Sequence, residues 1–252
     1  NIINDKCLSI PLLVHYTNKH NMAIVWTMHD CRAFTGQCPY FDEVNCNRWK
    51  TGCGNCPQCE TWIDSTHYQW KIYQRWHTAF KNLTIVIYNG VDTTKFAQKS
   101  NFDIHSKYQI SKKKKIVLGC AINWESRKGM TYFEQMPELL PDIYQIVLVG
   151  NIDEKKKKYL AQKNIICVGR TSTLDEMIAW YQSASVFCNP TLADNFPTTN
   201  LESLAAGTPI VTFQTGGSPE AIEISILQKI AESDHYYFPM NNTNNIYNYT
   251  TK

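Results

Sequence analysis

The sequence predicts an α/β fold built on doubly wound, mostly parallel sheet. Three observations carry this. From Ile116 to Phe213, short apolar runs rich in Val and Ile alternate with helix-like stretches, the order that folds into parallel strands joined by helices. The runs are apolar throughout, as in strands covered on both faces. Each run stops at a polar or Gly-containing loop, which sets a row of loops at the carboxyl ends of the strands, where open α/β sheets hold ligands.

Taken in order, Ser9 to Tyr16 reads as part of a helix. Ala23 to Met28 is the first strand pattern, and it ends at His29-Asp30-Cys31, which places His29 towards a ligand. Tyr68 to Phe80 is aromatic with helical spacing. Trp70, Tyr73, Trp76 and Phe80 share roughly one face, a core-facing helix in preference to a platform for stacking an acceptor sugar. Leu83 to Val86 and Ile87 to Asp92 read as two strands that abut. A parallel pair needs a crossover of a dozen or more residues, so either residues are missing between Val86 and Ile87 or the chain is a true truncation. Beyond Lys115 the pattern is regular. Strands are expected at Ile116 to Ala121, Tyr144 to Gly150, Asn164 to Arg170, Ala184 to Cys188 and Ile210 to Phe213. Helices are expected at Tyr132 to Leu140, through the Lys-rich run to Gln162, at Leu174 to Ala184 and at Thr198 to Ala206. Asn241 to Thr250 is polar and of low complexity, the composition of a disordered tail.

The chemistry concentrates between Asn189 and Glu220. A strand stops at Asn189-Pro190, a polar loop follows, and a helix begins near Thr198, with Thr198 or Thr199 as its expected cap and Gly207 with Pro209 ending it. The first amides of such a helix point into the loop, and free N–H groups at a positive dipole end favour phosphate. Asp194 precedes the loop and Glu202 lies a turn inside the helix; carboxylates there accept hydrogen bonds from sugar hydroxyls. Phosphate at the amides and hydroxyls at the acids together describe a nucleotide-sugar. Arg127-Lys128-Gly129 follows the first strand of this half. Arg offers a fork of donors and Lys a movable point charge, both suited to a diphosphate.

The run Asp194-Asn195-Phe196-Pro197-Thr198-Thr199-Asn200-Leu201-Glu202 resembles the donor-binding signature of family 4 glycosyltransferases, which have the GT-B fold of two Rossmann-like domains. Ala206-Gly207-Thr208-Pro209 and Thr215-Gly216-Gly217-Ser218-Pro219-Glu220 extend the likeness, which spans roughly Thr27 to Ile222. The usual first acid of the signature is Glu; Asp194 departs from it and shortens that arm. The resemblance implies an incomplete amino-terminal acceptor-side domain over 1–88, a donor-binding domain over 89–222 and a divergent tail over 223–252. It implies transfer of a sugar from a nucleoside diphosphate to a hydroxyl with retention at the anomeric carbon. Arg127, Lys128 and the amides near Phe196 to Thr199 would stabilise the leaving diphosphate. Asn195, Phe196, Pro197, Thr198 and Thr199 would line the donor, Glu202 would meet the ribose, and Asp194 the donor sugar. His29 would reach that sugar from across the cleft. No catalytic metal is expected.

Cysteines crowd between Cys31 and Cys59. Cys53-Gly54-Asn55-Cys56 is a closely spaced pair of the kind found in zinc knuckles, and Cys38 and Cys46 can supply two further corners of a tetrahedron. Structural zinc, metal-free thiols and disulfides all remain open, and Cys31 and Cys59 compete as ligands. The Cys-rich stretch from His29 onward is also similar to a bacterial subgroup of the same family that builds surface polysaccharides.

With 43% hydrophobic and 19% charged residues the composition is globular, and it leaves no nucleic-acid module signature. The net charge of +3 gathers in Lys112 to Lys115 and Lys155 to Lys158, solvated faces that would also favour peripheral association with an anionic membrane. No apolar run is long enough to span a bilayer and no signal peptide is recognisable; a domain too large to need disulfide staples, with an enzyme-like remainder, sets the expectation of a reducing cytoplasm. Three other readings stand beside the transferase: a GT-B nucleotide-sugar epimerase, a degenerate transferase that binds nucleotide without turnover, and a zinc-binding interaction module.

Overall fold

The computed structural model describes residues 10–23, 27, 29–31, 35, 38, 40–41, 44–53, 56–57, 71, 87–223 and 246–249. Helix α1 (Ile10–Lys19) comes first, and two short helices, α2 (Thr93–Ala97) and α3 (Ile104–Lys107), lead into the sheet. The chain then alternates through β1 (Lys115–Asn123), α4 (Met130–Leu139), β2 (Tyr144–Asn151), α5 (Glu154–Gln162), β3 (Ile165–Val168), α6 (Leu174–Ser183), β4 (Ala184–Asn189), α7 (Thr198–Ala205) and β5 (Ile210–Phe213). A last strand, β6 (Ile246–Tyr249), completes a sheet of order β3-β2-β1-β4-β5-β6. The first five strands are parallel, and β6 runs antiparallel to β5. The chain moves outward from β1 to β3 and returns on the other side of β1 at β4. The loops after β1 and β4 therefore lie side by side at the carboxyl end of the sheet, at the switch point where open α/β sheets hold ligands.

Helices cover both faces because successive strand residues point to opposite sides. Ile116 and Leu118 of β1 and Val147 and Val149 of β2 pack in one core with Ile178, Trp180 and Tyr181 of α6. Val117, Ile146 and Leu148 pack in the other with Phe133 of α4 and Leu160 of α5. Phe133 and Leu160 are fully buried, each contributing about 1.5–3 kcal/mol and fixing its helix to the sheet. Among the described residues no helix is long and apolar enough to cross a membrane.

Among the described residues, side chains cap four helices. Asp92, Asp103, Asp153 and Thr173 accept the amides of Lys95, Ser106, Lys156 and Glu176 at the starts of α2, α3, α5 and α6, each worth about 1 kcal/mol. The helices that follow β1 and β4 differ. Helix α4 starts from Gly129 and α7 from Pro197, neither with a side-chain cap. This corrects the expectation that Thr198 or Thr199 caps α7. Pro197 takes the cap position with an extended backbone, and Thr198 is already the first helical residue.

Two further expectations are corrected. Residues 87–92 carry no strand; Asp92 instead turns the chain into α2 by accepting the Lys95 amide. Residues 246–249, expected in a disordered tail, pair with β5 as β6. The strands expected at 23–28 and 83–86 and the helix at 68–80 fall largely or wholly outside the described residues, as does the first of the two expected Rossmann-like domains. Among the described residues there is one such sheet.

Candidate functional site

Three loops meet at the carboxyl end of the sheet, backbone against backbone. Gly129, after β1, has φ +76, and a Cβ there would stand 2.1 Å from the Pro190 carbonyl oxygen. Gly216, after β5, has φ +48, and its Cβ would stand 1.7 Å from the Asp194 carbonyl oxygen. Only glycine permits both the left-handed backbone and the approach. Hydrogen bonds lock the same contacts. The Leu192 amide donates to the Arg127 carbonyl at 2.7 Å, Arg127 Nη1 donates to the Ala193 carbonyl at 3.1 Å, and Thr215 Oγ1 donates to the Leu192 carbonyl at 3.0 Å. The loop from Pro190 to Asn195 is thus gripped from both sides.

The charged residues converge there. Lys128 Nζ lies 2.5 Å from Asp194 Oδ2, with side chains 21% and 15% exposed. This is a short, partly desolvated pair made between the loops after β1 and β4. The Arg127 guanidinium bonds Glu125 through Nε at 2.9 Å and lies 4.6 Å from the centroid of the Tyr40 ring. Burial pushes the Tyr40 hydroxyl above its usual range, and the Arg127 charge opposes it. Arg127 and Lys128 are half-buried and oriented, the state in which fixed charge acts on an anion with little reorganisation.

Glu202, one turn into α7, has a different neighbourhood. Its Oε2 accepts the Tyr181 hydroxyl of α6 at 2.8 Å, and Tyr181 is fully buried. Burial raises the Glu202 carboxyl, and the donated Tyr181 bond pulls it back. A buried polar frame holds the helix in place. Asn189 Nδ2 donates to Asn200 Oδ1 at 2.8 Å, Thr212 Oγ1 to the Asn189 carbonyl at 2.8 Å, and Thr208 Oγ1 to the Tyr181 carbonyl at 2.6 Å. Asn200 Nδ2 and Ser218 Oγ are buried and have no hydrogen-bond partner among the described residues. Pro197 is buried, while Thr198 and Thr199 are half-buried at the first turn of α7.

The amino-terminal segment touches this loop at several points. Asn195 Nδ2 donates to the His29 carbonyl at 2.7 Å, and Cys31 Sγ donates to Asn195 Oδ1 at 3.8 Å. His29 is thus tied to the loop through its backbone, and Asn195 acts as a bridge. Phe196 packs on Tyr88 with ring centroids 5.0 Å apart, and Glu220 pushes the Tyr88 hydroxyl above its usual range. Sequence reasoning missed Tyr40, Tyr88 and Tyr181. Tyr181 reads only as one apolar position of a helix, and its hydroxyl acquires a role only through α7.

Cys38 and Cys53 are buried, and Cys46 and Cys56 are half-buried, all as free thiols. Burial pushes the Cys38 thiol up to about 11 against a hydrogen bond from Thr35, and the charges of Cys56, Cys53 and Cys46 add to the rise. The four sulfurs are therefore electrostatic neighbours. Among the described residues no group of three or more His, Cys, Asp or Glu is already set to hold a metal.

A parallel α/β domain with cations, acids and two helix starts without side-chain caps gathered at its strand reversal is the class that fold and site define. Within it, the chain belongs to the group 1 glycosyl transferases, whose family pattern matches residues 113–243, just over half of the chain. A stretch of 54 residues is 39% identical to the putative colanic acid biosynthesis glycosyl transferase WcaC of Escherichia coli, covering 20% of this chain and 13% of that protein. Another of 50 residues is 38% identical to the D-inositol 3-phosphate glycosyltransferase of Streptomyces bingchenggensis, covering 20% and 11%. Similar solved structures include Anabaena HepE in complex with UDP-glucose, at 20% identity over 64% of this chain and 52% of that one, with a TM-score of 0.47. The C-terminal domain of the Francisella tularensis group 1 transferase LpcC is 20% identical over 57% and 89%, with a TM-score of 0.42.

Proposed function

We propose that this chain supplies the donor half of a retaining glycosyltransferase, which moves a sugar from a nucleoside diphosphate to a hydroxyl of a glycan or glycolipid. Family membership supports the reaction class. The observation that carries the reading is the Lys128–Asp194 pair beside Arg127 at the strand reversal. A diphosphate arriving in the crevice offers Lys128 a stronger anion than Asp194. Lys128 and Arg127, with the first amides of α7, then face the oxygen that gains charge as the sugar leaves. Released from Lys128, Asp194 becomes an acceptor for hydroxyls of the donor sugar. Asn195, Phe196, Pro197, Thr198 and Thr199 line the donor, Glu202 accepts from the ribose, and His29 approaches across the crevice. A role in bacterial surface-polysaccharide synthesis is supported by the short stretch shared with WcaC. Calorimetry of the folded chain with UDP and GDP tests the reading. Binding of one of them is expected, and no heat with either would overturn it.

Cys38, Cys46, Cys53 and Cys56 form, on this reading, a structural zinc site. Cys38, raised first by burial and further by the charges of Cys56, Cys53 and Cys46, is disfavoured as a lone thiolate, and a divalent cation would offset that repulsion while drawing the sulfurs together. The site would brace the segment that carries Tyr40 against Arg127, with no part in the chemistry.

A further inference from the structure

We propose that Tyr181 is a positioning residue for nucleotide recognition, acting through Glu202, and that it gives the site its preference for a ribose with free hydroxyls. The inference rests on the reading that Glu202 meets the ribose. The geometry adds a fixed donor behind the acid. The Tyr181 ring is locked in the core between Phe96 and Phe187, at centroid distances of 6.1 and 5.5 Å. Its own carbonyl is held by Thr208 Oγ1 at 2.6 Å. The hydroxyl is thereby fixed in place, with Cys120 beside it, and it meets Glu202 Oε2 at 2.8 Å. With Oε2 bonded from behind, the carboxylate is confined to one rotamer, and Oε1 with its remaining lone pairs is left for hydroxyl donors from the crevice.

Tyr181 also decides the form in which Glu202 works. Burial favours the protonated acid, which would itself donate a proton and lose the charge and one of the lone pairs that accept hydroxyls. A donor fixed at Oε2 favours the carboxylate. The titratable groups around the acid are few. Tyr181 comes from α6, and Cys120 from β1, whose thiol is pushed up first by burial and then by the Glu202 charge, with a Tyr181 hydrogen bond opposing both. Helix α2, also packed on α7, brings Lys95, which is paired with Asp92. Ribose recognition should accordingly fail as pH falls through the Glu202 pKa, and fail at higher pH once the Tyr181 donor is gone.

The test uses the full chain and four ligands, UDP and GDP with their 2′,3′-dideoxy counterparts, titrated from neutral to mildly acidic pH. Wild type should prefer the ribose form of whichever nucleotide binds. Tyr181→Phe keeps the ring and removes the donor. It should weaken the ribose form about tenfold, the worth of one hydrogen bond to a charged group, leave the dideoxy form unchanged, and move the acid limb to higher pH. Site-specific 3-fluorotyrosine at 181, a stronger donor of nearly the same shape, should move that limb to lower pH and serves if Tyr181→Phe does not fold. Equal loss of both sugar forms in Tyr181→Phe would reduce Tyr181 to a packing residue and overturn the proposal, as would no change in either. If Glu202→Gln leaves the preference for ribose intact, the placement of Glu202 on the ribose is itself wrong and the proposal falls with it, an outcome separable from failure of Tyr181 alone.

Discussion

Two glycines after α7 and β5 share a left-handed backbone and differ in what surrounds them, which makes a matched experiment. Gly216 has φ +48, and an added Cβ would lie 1.7 Å from the Asp194 carbonyl oxygen; Gly207 has φ +82, and nothing lies within 4 Å. Gly207→Ala therefore carries only the conformational cost of an L residue in that region, about 1–2 kcal/mol. Gly216→Ala carries the same cost and a clash. Real Cβ atoms keep about 3.0 Å from such neighbours, so the two backbones must part by about 1.3 Å. Forced overpacking of this kind adds about 1–3 kcal/mol. At about 2–4 °C per kcal/mol for a chain of this size, Gly207→Ala should lower Tm by about 2–8 °C and Gly216→Ala by about 4–20 °C. The decisive difference lies in binding. The displaced carbonyl belongs to Asp194, which holds Lys128 and accepts the Gly217 amide at 3.3 Å. Gly216→Ala should weaken UDP or GDP binding about tenfold or more, whereas Gly207→Ala should not change it. Thermal melting and calorimetry on both variants give the answer. A stably folded Gly216→Ala chain that binds nucleotide like wild type would refute the claim that the three loops position the site through their backbones.

Three other outcomes are expected. In a complete chain with a competent donor, Lys128→Ala should fall on kcat by about 10²–10³, because Lys128 acts on charge that grows as the diphosphate leaves, whereas Glu202→Gln should raise KM with little change in kcat; the reverse pattern in steady-state kinetics would exchange their roles. Burial alone would raise the Glu176 carboxyl, but Lys107, Tyr108 and Ser172 outweigh it and hold it at about 2, against an ordinary 4.5. The folded pKa is depressed, so its stabilisation is present above the unfolded value and is lost as pH falls from about 4.5 to about 2; urea titrations of wild type and Glu176→Gln should converge across that interval. Metal analysis of protein purified without chelator should find about one zinc per chain, and Cys53→Ser should lower that content and Tm while leaving nucleotide affinity in place; a zinc-free chain whose thiols all titrate would remove the site.

The sequence by itself determined the alternation of strands and helices from Lys115 to Phe213, because apolar runs and helical spacing are local patterns that the backbone reads over a few residues. It also placed Arg127-Lys128-Gly129 and Asp194 to Pro197 in loops where strands stop, as the structure has them. The helix caps were less legible. Thr198 and Thr199 have capping chemistry, but Pro197 takes the cap position, so α7 begins with no side-chain oxygen over its amides. Only the tertiary structure decided which loops face each other. Lys128 and Asp194 are 66 residues apart and meet because the strand order places β4 beside β1. Tyr181 meets Glu202 because α6 and α7 pack together, a contact that no spacing within either helix encodes. The pairing of β6 with β5 was hidden in the same way, since a polar segment becomes a strand only when an open sheet edge offers it hydrogen bonds.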